Sequence, residues 1–267
     1  MSSAPENEHW QNFAKQWNRL ASPLRPCAED VKNFRQAIGG NPGRCLLLGV
    51  TPELSELSPT LTAIDNSAAM IGALWNSKQA NKLAIQGDWL DLPFEKGSFD
   101  TVVGDGCLTL LSHPMQYERF FGQLHRILTP GGKIALRLFV SPEQSESREF
   151  VCREALDGKI KGFHAFKWRL SMAIASEAPD HNLSVAETCA TFDRLIPDRN
   201  QLAAATGWSA EDIETIEAYR GSEALYSYPT LSQVRKTLHP SLHEIGLIQG
   251  SYELAERCPI LILESRA

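Results

Sequence analysis

A glycine turn between two short strands constrains the fold of this chain more than any other feature. Residues 44–54 (RCLLLGVTPEL) are typical of a buried strand, a turn at Gly49 and a helix that starts near Pro52. A second strand, residues 61–65 (LTAID), ends in Asp65, sixteen residues after the glycine. This order is typical of a nucleoside-binding unit, because the turn admits a ligand to the backbone and the carboxylate accepts hydrogen bonds from ribose hydroxyls. A strand-terminal aspartate is also often only a helix cap, so the spacing alone leaves both readings open.

Strands and helices alternate through the first half of the chain, which predicts a parallel sheet with helices on both faces. Beyond Pro142 the glycine turns stop, and residues 143–240 read as mostly helical. Two final strand-like runs predict an antiparallel hairpin at the sheet edge. The predicted strands are 44–49, 60–65, 82–87, 99–104, 132–140, 243–254 and 257–264, and the predicted helices of the first half are 9–21, 28–38, 66–76 and 117–128.

The predicted fold class is therefore α/β: a doubly wound, Rossmann-like, seven-stranded and mostly parallel sheet with an antiparallel C-terminal hairpin and a helical insertion. We expect four segments. They are an N-terminal helical cap (1–43), a cofactor-binding core (44–141), an insertion that covers the substrate (142–240) and the strands that complete the sheet (241–267).

Composition excludes several classes of protein. The net charge is −6 and no basic stripe is present, so the sequence predicts no nucleic-acid partner. No run of about 18 apolar residues occurs, so no membrane span is expected. The six cysteines are scattered without a C-x-x-C pair, which favours reduced thiols in the cytoplasm over disulfides or a metal site.

Four segments, in this order, resemble the class I S-adenosylmethionine-dependent methyltransferases. They are residues 46–53 (LLLGVTPE), 61–71 (LTAIDNSAAMI), 86–103 (with GDWLDLPF and GSFD) and 124–134 (LHRILTPGGKI). The resemblance covers about residues 40–140. It implies methyl transfer, with S-adenosylmethionine as the cofactor.

The family's cofactor roles pass to matching positions of this chain. The resemblance implies that Gly49 lies under the methionine and ribose, that Asp65 binds the ribose hydroxyls, and that Asp88 binds the adenine amino group. It implies a further set of cofactor contacts: Val50, Thr51, Asn66, Met70, Gly87, Trp89, Gly104, Asp105 and Gly106.

The glycine-rich loop departs from the family pattern. The family usually has an acid two residues before the first glycine and further glycines two and four after it, whereas this chain has Leu47, Thr51 and Glu53. The missing carboxylate commonly helps to hold the methionyl ammonium. Either Glu53 or Asp105 is a candidate to replace it.

The catalytic and substrate residues are less constrained, because methyl transfer needs alignment more than a fixed set of catalytic groups. His113 follows the fourth strand and is the candidate general base, although it also fits a cap on the next helix. Arg25 is a candidate to pair with the carboxylate of the cofactor, although it also reads as an exposed loop residue. Tyr226 and Tyr228 of the insertion are candidate substrate contacts, with simple packing as the alternative.

The favoured function is methyl transfer to a small-molecule acceptor enclosed by the insertion. One alternative is a non-catalytic S-adenosylmethionine-binding or regulatory module, which the altered glycine loop suggests. Another is a protein or RNA methyltransferase, which the acidic charge disfavours. A homodimer is left open.

Overall fold

The computed structural model describes residue 17, residues 20–76 and residues 79–266. One seven-stranded sheet forms its centre. Its strands are β1 Cys45–Leu48, β2 Leu61–Asp65, β3 Lys82–Gln86, β4 Phe99–Asp105, β5 Leu128–Arg137, β8 Leu242–Ile248 and β9 Ile260–Ser265. They lie in the order β3-β2-β1-β4-β5-β9-β8. The first five strands are parallel, and β9 runs antiparallel to both β5 and β8. The predicted fold class is confirmed.

Helices cover the sheet and build the insertion. They are α1 Ala28–Ile38, α2 Ala68–Leu74, α3 Met115–Ile127, α4 Arg148–Leu156, α5 Phe163–Ala175, α6 Val185–Leu195, α7 Arg199–Thr206, α8 Ala210–Glu214 and α9 Leu231–Lys236. Helix α3 shows how sequence spacing produces packing. Its apolar stripe is fully buried against the sheet, and each large side chain removed from water contributes about 1.5–3 kcal/mol.

Strand order places a crevice at the carboxyl edge of the sheet. From β1 the chain builds outward through β2 and β3 on one side, and then returns to place β4 and β5 on the other. Ligands bind at such a reversal, outside the carboxyl ends of the strands, in open α/β sheets. Strand β1 is buried along its whole length, so the loops that follow β1, β2 and β4 are held in fixed positions.

The insertion packs on the sheet through a continuous apolar core. The same cluster of buried side chains contains Phe34 of α1, Val103 of β4 and Phe166 of α5. The insertion also holds a short antiparallel pair of strands, β6 Asn182–Ser184 and β7 Leu225–Ser227, which the sequence did not predict.

Two local predictions were wrong. The helix predicted near Pro52 is only a single 3-10 turn, Pro52–Leu54. The strand predicted over 243–254 ends at Ile248, because the chain turns away through a loop before β9. The helix predicted over 9–21 lies mostly outside the described residues. Among the described residues, no helix is long and apolar enough to cross a bilayer.

Candidate active site

A cavity of about 820 Å³ lies at the carboxyl edge of the sheet. Its floor comes from the ends of β1 to β4, and its opposite wall comes from the insertion. The sheet side contributes Leu48, Gly49, Val50, Thr51, Asp65, Asn66, Ser67, Ala68, Met70, Leu74, Gln86, Asp88, Trp89, Asp105 and Gly106. The other side contributes Trp17, Leu24, Thr109, Leu110, Leu111, Ser112, Phe139, Trp168, Tyr219, Glu223, Ala224, Leu225 and Tyr226.

Gly49 keeps the floor of the cavity open. Its φ is +87°, in the left-handed region that favours glycine, and its backbone N–H donates to the Ile64 carbonyl at 2.8 Å. A Cβ at this position would lie 3.8 Å from both Asp65 Oδ2 and Trp89 Cζ2. A side chain would therefore fill the space between the turn, the carboxylate and the indole, where a ligand can approach the backbone.

Asp65 ends β2 with its carboxylate on the cavity wall. Its Oδ1 accepts a hydrogen bond from the Ser67 N–H at 2.8 Å, and Ser67 Oγ in turn accepts from the Met70 N–H at the start of α2. Burial raises the pKa of Asp65 to about 6, and the Ser67 hydrogen bond only partly opposes that rise. A buried carboxylate with an oxygen on the cavity is suited to accept hydrogen bonds from a pair of hydroxyls.

The turn after β3 supplies the next wall. Asp88 Oδ1 accepts from the Leu90 N–H at 2.8 Å, and Trp89 Nε1 donates to the Ile64 carbonyl at 2.9 Å. These bonds fix the carboxylate and the indole at the cavity. Gly87 precedes them in the chain and does not line the cavity. A Cβ there would lie 2.8 Å from Ile64 Cδ1, so this glycine permits packing of the turn on β2.

Asp105 ends β4 and belongs to a buried charge network. The Arg137 guanidinium, fully buried, donates to Asp105 Oδ1 at 2.5 Å, to Asp30 Oδ2 at 2.8 Å and to the Pro23 carbonyl at 3.0 Å. Burial raises the pKa of Asp105, and Arg137 opposes the rise. Sequence reasoning missed this network, because its members come from distant parts of the chain.

Gly106 brings the backbone against an aromatic wall. Its φ is +64°, and a Cβ would lie 2.2 Å from Phe139 Cε2. The Phe139 ring lies 3.8 Å from that of Trp168, centroid to centroid, so the sheet edge and α5 meet here. Gly104 does not line the cavity; a Cβ there would lie 3.0 Å from both Cys107 Sγ and Leu136 Cδ2, so it too serves packing.

The insertion wall is aromatic. Tyr219 and Tyr226 meet edge to face with ring centroids 6.1 Å apart, and both line the cavity with Trp168. Behind Tyr219 lies Lys167, whose Nζ is 4.7 Å from the centre of that ring. Burial lowers the pKa of Lys167 to about 7. The sequence analysis gave Tyr226 as a candidate substrate contact, but it did not predict that Trp168 and Tyr219 would lie beside it.

Three residues predicted to be catalytic or to contact substrate do not line the cavity. The His113 ring nitrogen Nδ1 lies 3.1 Å from the Asp180 carbonyl, at the seam between the sheet edge and the insertion. Arg25 pairs with Glu53 and lies over the ring of Trp17. Tyr228 is fully buried behind Tyr226. The roles predicted for these residues stay predictions that the geometry does not favour.

The charges on the cavity wall are of one sign. The described lining residues include the carboxylates of Asp65, Asp88, Asp105 and Glu223, and they include no lysine, arginine or histidine. Like charges repel in a site partly shielded from water. The wall therefore favours neutral or cationic ligands over anions.

Comparison with known proteins gives one family match. Residues 45–136 match the family model described as a methyltransferase domain. This span runs from the start of β1 almost to the end of β5, so it contains the turns after β1 to β4 that carry the sheet side of the cavity. No curated protein matches the chain.

Several solved structures share the fold. A SAM-dependent methyltransferase from Methanosarcina mazei is 14% identical, with a TM-score of 0.54 over 91% of this chain and 99% of that one. The N-methyltransferase NodS from Bradyrhizobium japonicum WM9, in complex with S-adenosylhomocysteine, is 14% identical, with a TM-score of 0.50 over 98% of this chain and 100% of that one.

A further similar structure carries a different description. A protein of Rhodobacter sphaeroides described provisionally as a zinc-dependent alcohol dehydrogenase is 15% identical, with a TM-score of 0.64 over 100% of both chains. At this identity the likeness concerns the fold. Among the described residues, one group can offer three metal ligands: Cys189, Asp193 and Glu217. It lies away from the cavity wall, and Arg199 pairs with both of its carboxylates.

Proposed function

We propose that this chain, which belongs to the class I S-adenosylmethionine-dependent methyltransferases, methylates a nitrogen of a small amine held in the cavity. One observation carries the proposal. The cavity joins a cofactor floor to an insertion wall of Trp168, Tyr219 and Tyr226, and it carries carboxylates without a cation.

The floor of the cavity fits S-adenosylmethionine. Gly49 leaves the space that a Cβ would fill, and the Asp65 carboxylate lies beside that space, where it would hold the ribose. Asp88 and Trp89 would bound the adenine. When bound, the cofactor supplies a methyl group on a positively charged sulfur, which makes that methyl group reactive. The sulfur of the bound cofactor carries a positive charge, which the carboxylates of the cavity wall attract.

The enclosed wall supports a small acceptor. About 820 Å³ must hold both cofactor and acceptor, which is within the usual range of small-molecule sites. An RNA acceptor would bring phosphates against the carboxylates of Asp65, Asp88 and Glu223, which no described lysine or arginine pairs with. The fourth carboxylate, Asp105, shares the single positive charge of Arg137 with Asp30.

The aromatic and acidic wall supports a nitrogen acceptor. An amine that gains a methyl group gains positive charge as the new bond forms. Faces of tryptophan and tyrosine attract such a charge by about 0.5–2 kcal/mol each, and nearby carboxylates add to that attraction. A phenolate or carboxylate acceptor would lose charge during the reaction and would first have to enter an acidic cavity.

A proton must leave when a primary or secondary amine is methylated. Glu223, an exposed carboxylate at the insertion side of the cavity, is placed to accept it and release it to water. His113 would need to leave its contact with Asp180 to do so.

A non-catalytic module remains the second candidate, because the loop carries Leu47, Thr51 and Glu53 instead of the family residues. The open space beside the cofactor floor favours an enzyme over a non-catalytic module, because a protein that only binds the cofactor does not need room for an acceptor. The six free cysteines support a reducing compartment such as the cytoplasm.

The test is a transfer assay with radiolabelled S-adenosylmethionine and paired acceptors. Arylalkylamines would be compared with arylalkyl carboxylic acids of the same size, and with bulk tRNA. We expect label in the amines at least about tenfold above the acids, which corresponds to about 1.4 kcal/mol. Equal label in the acids, or label only in RNA, would refute the amine assignment.

A matched pair of variants locates the acceptor. Trp168→Leu removes a buried indole of the cavity wall, whereas Trp208→Leu removes a buried indole of the insertion that does not line the cavity. The first should raise KM for the amine and leave S-adenosylhomocysteine affinity unchanged. The second should change neither the KM for the amine nor the affinity for S-adenosylhomocysteine in the protein that remains folded.

A further inference from the structure

We propose that Asp105 binds the methionyl ammonium of the cofactor, in place of the acid that the glycine-rich loop lacks. This inference concerns the cofactor end of the cavity and does not depend on which acceptor is methylated.

The position that usually carries the acid is closed. Leu47 lies in the middle of β1 and is fully buried in the apolar core. Glu53, the other candidate, pairs with Arg25 and is not among the residues that line the cavity. Neither position presents a free carboxylate to the cofactor.

Asp105 lies where the charge is needed. Leu48 of β1 pairs with Gly104 of β4, so Gly49 and Asp105 emerge side by side at the carboxyl edge of the sheet. Both line the cavity. The Asp105 side chain is only 5% exposed, so any charge it presents there is poorly screened by water.

The network leaves one negative charge without a partner. Arg137 supplies one positive charge to two carboxylates, Asp30 and Asp105. Both oxygens of Asp30 are hydrogen-bonded within the protein: its Oδ1 accepts from the Tyr252 hydroxyl at 2.8 Å, and its Oδ2 accepts from Arg137 and from the Cys27 N–H. Asp105 accepts only through Oδ1 from Arg137, and no described residue bonds its Oδ2.

A cationic ligand resolves this imbalance. A buried carboxylate with an open oxygen is costly unless a positive group pairs with it. An ammonium donates up to three hydrogen bonds and carries the missing charge. Arg137 holds Asp105 in place through Oδ1 and leaves Oδ2 for the ligand.

The test is calorimetric titration of Asp105→Asn with two ligands. S-adenosylhomocysteine carries the ammonium, and 5′-methylthioadenosine carries the same nucleoside and thioether without it. We expect S-adenosylhomocysteine to bind about tenfold to a hundredfold more weakly than to the wild type, as for loss of a charged hydrogen bond. Affinity for 5′-methylthioadenosine should change less than about twofold, which also shows that the variant is folded.

Two further binding measurements test whether Asp105 is the partner of the ammonium. Glu53→Gln neutralises the rival carboxylate and should still bind S-adenosylhomocysteine more tightly than 5′-methylthioadenosine, as the wild type does. If Glu53→Gln loses this preference and Asp105→Asn keeps it, the assignment to Asp105 is overturned. If Asp105→Asn does not fold, the wild type is titrated with the S-adenosylhomocysteine analogue that lacks only the amino group. Binding of that analogue as tight as S-adenosylhomocysteine would refute any carboxylate partner for the ammonium.

Discussion

Asp65→Asn should make the ligand-free protein more stable while it weakens cofactor binding. Burial raises the pKa of Asp65 from its ordinary value of 3.8 to about 6. The raised pKa means that the folded state holds the proton more tightly than the unfolded state does. The contribution of this group to stability is therefore fully present below about pH 4 and is lost as pH rises through about 6. The loss at pH 7 is about 3 kcal/mol, from 2.2 pKa units at about 1.4 kcal/mol each.

Asparagine removes this cost and keeps the contact to Ser67, since its side-chain oxygen still accepts from the Ser67 N–H. Urea unfolding should show the variant more stable than the wild type by about 3 kcal/mol at pH 7 and by about half of that at pH 5. S-adenosylhomocysteine should bind at least about tenfold more weakly, because a neutral amide accepts from hydroxyls less strongly than a carboxylate. Asp91→Asn, at an exposed carboxylate nearby, is the control and should change neither quantity. An Asp65→Asn protein that is no more stable at pH 7, or that binds the ligand normally, would refute the reasoning.

Three further outcomes follow from the geometry. Burial lowers the pKa of Lys167 from 10.5 to about 7, so the wild-type free energy of unfolding should rise by up to about 1.4 kcal/mol per pH unit between pH 7 and 10. Lys167→Met should flatten this dependence on pH in urea titrations. An unchanged slope in the variant would show that another group titrates. Gly106→Ala should destabilise the fold by more than about 1 kcal/mol and lower S-adenosylhomocysteine affinity, because its Cβ would lie 2.2 Å from Phe139 at a φ of +64°. Gly122→Ala in α3, where a Cβ has open space, is the control and should instead stabilise the fold by up to about 1 kcal/mol. Thermal melts of both variants give the comparison, and equal effects of the two alanines would contradict this account of Gly106.

The fold was predictable because its signals are local. A continuous apolar run before Gly49, the stripe of α3 and the breakers between elements each reflect a few neighbouring residues. Parallel strands with short connections then leave few arrangements, so the position of the carboxyl edge followed from the order of the elements.

The sheet side of the cavity was predictable for the same reason, apart from two glycines. Strand ends carry Gly49, Asp65, Asp88 and Asp105 to one edge, and all of them line the cavity. Gly87 and Gly104 are instead required by tight packing on Ile64 and Leu136, which depends on side chains from neighbouring strands.

The opposite wall was not predictable from local spacing. Trp168, Tyr219 and Tyr226 come from helix α5, a 3-10 turn and strand β7, and only tertiary packing brings them together. The charge network around Arg137 was not predictable from local spacing either, because Asp30 and Arg137 are 107 positions apart. The sequence signal for this network was an arginine at the end of the apolar strand β5, since an arginine in such a strand usually has a carboxylate partner.

A crystal structure with S-adenosylhomocysteine tests the central claim most directly. The account predicts the ribose at Asp65, the ammonium at Asp105 Oδ2 and the sulfur facing the wall of Trp168 and Tyr226, with room for an amine between them. A ligand whose sulfur faces away from that wall, or whose ammonium meets no carboxylate, would contradict it.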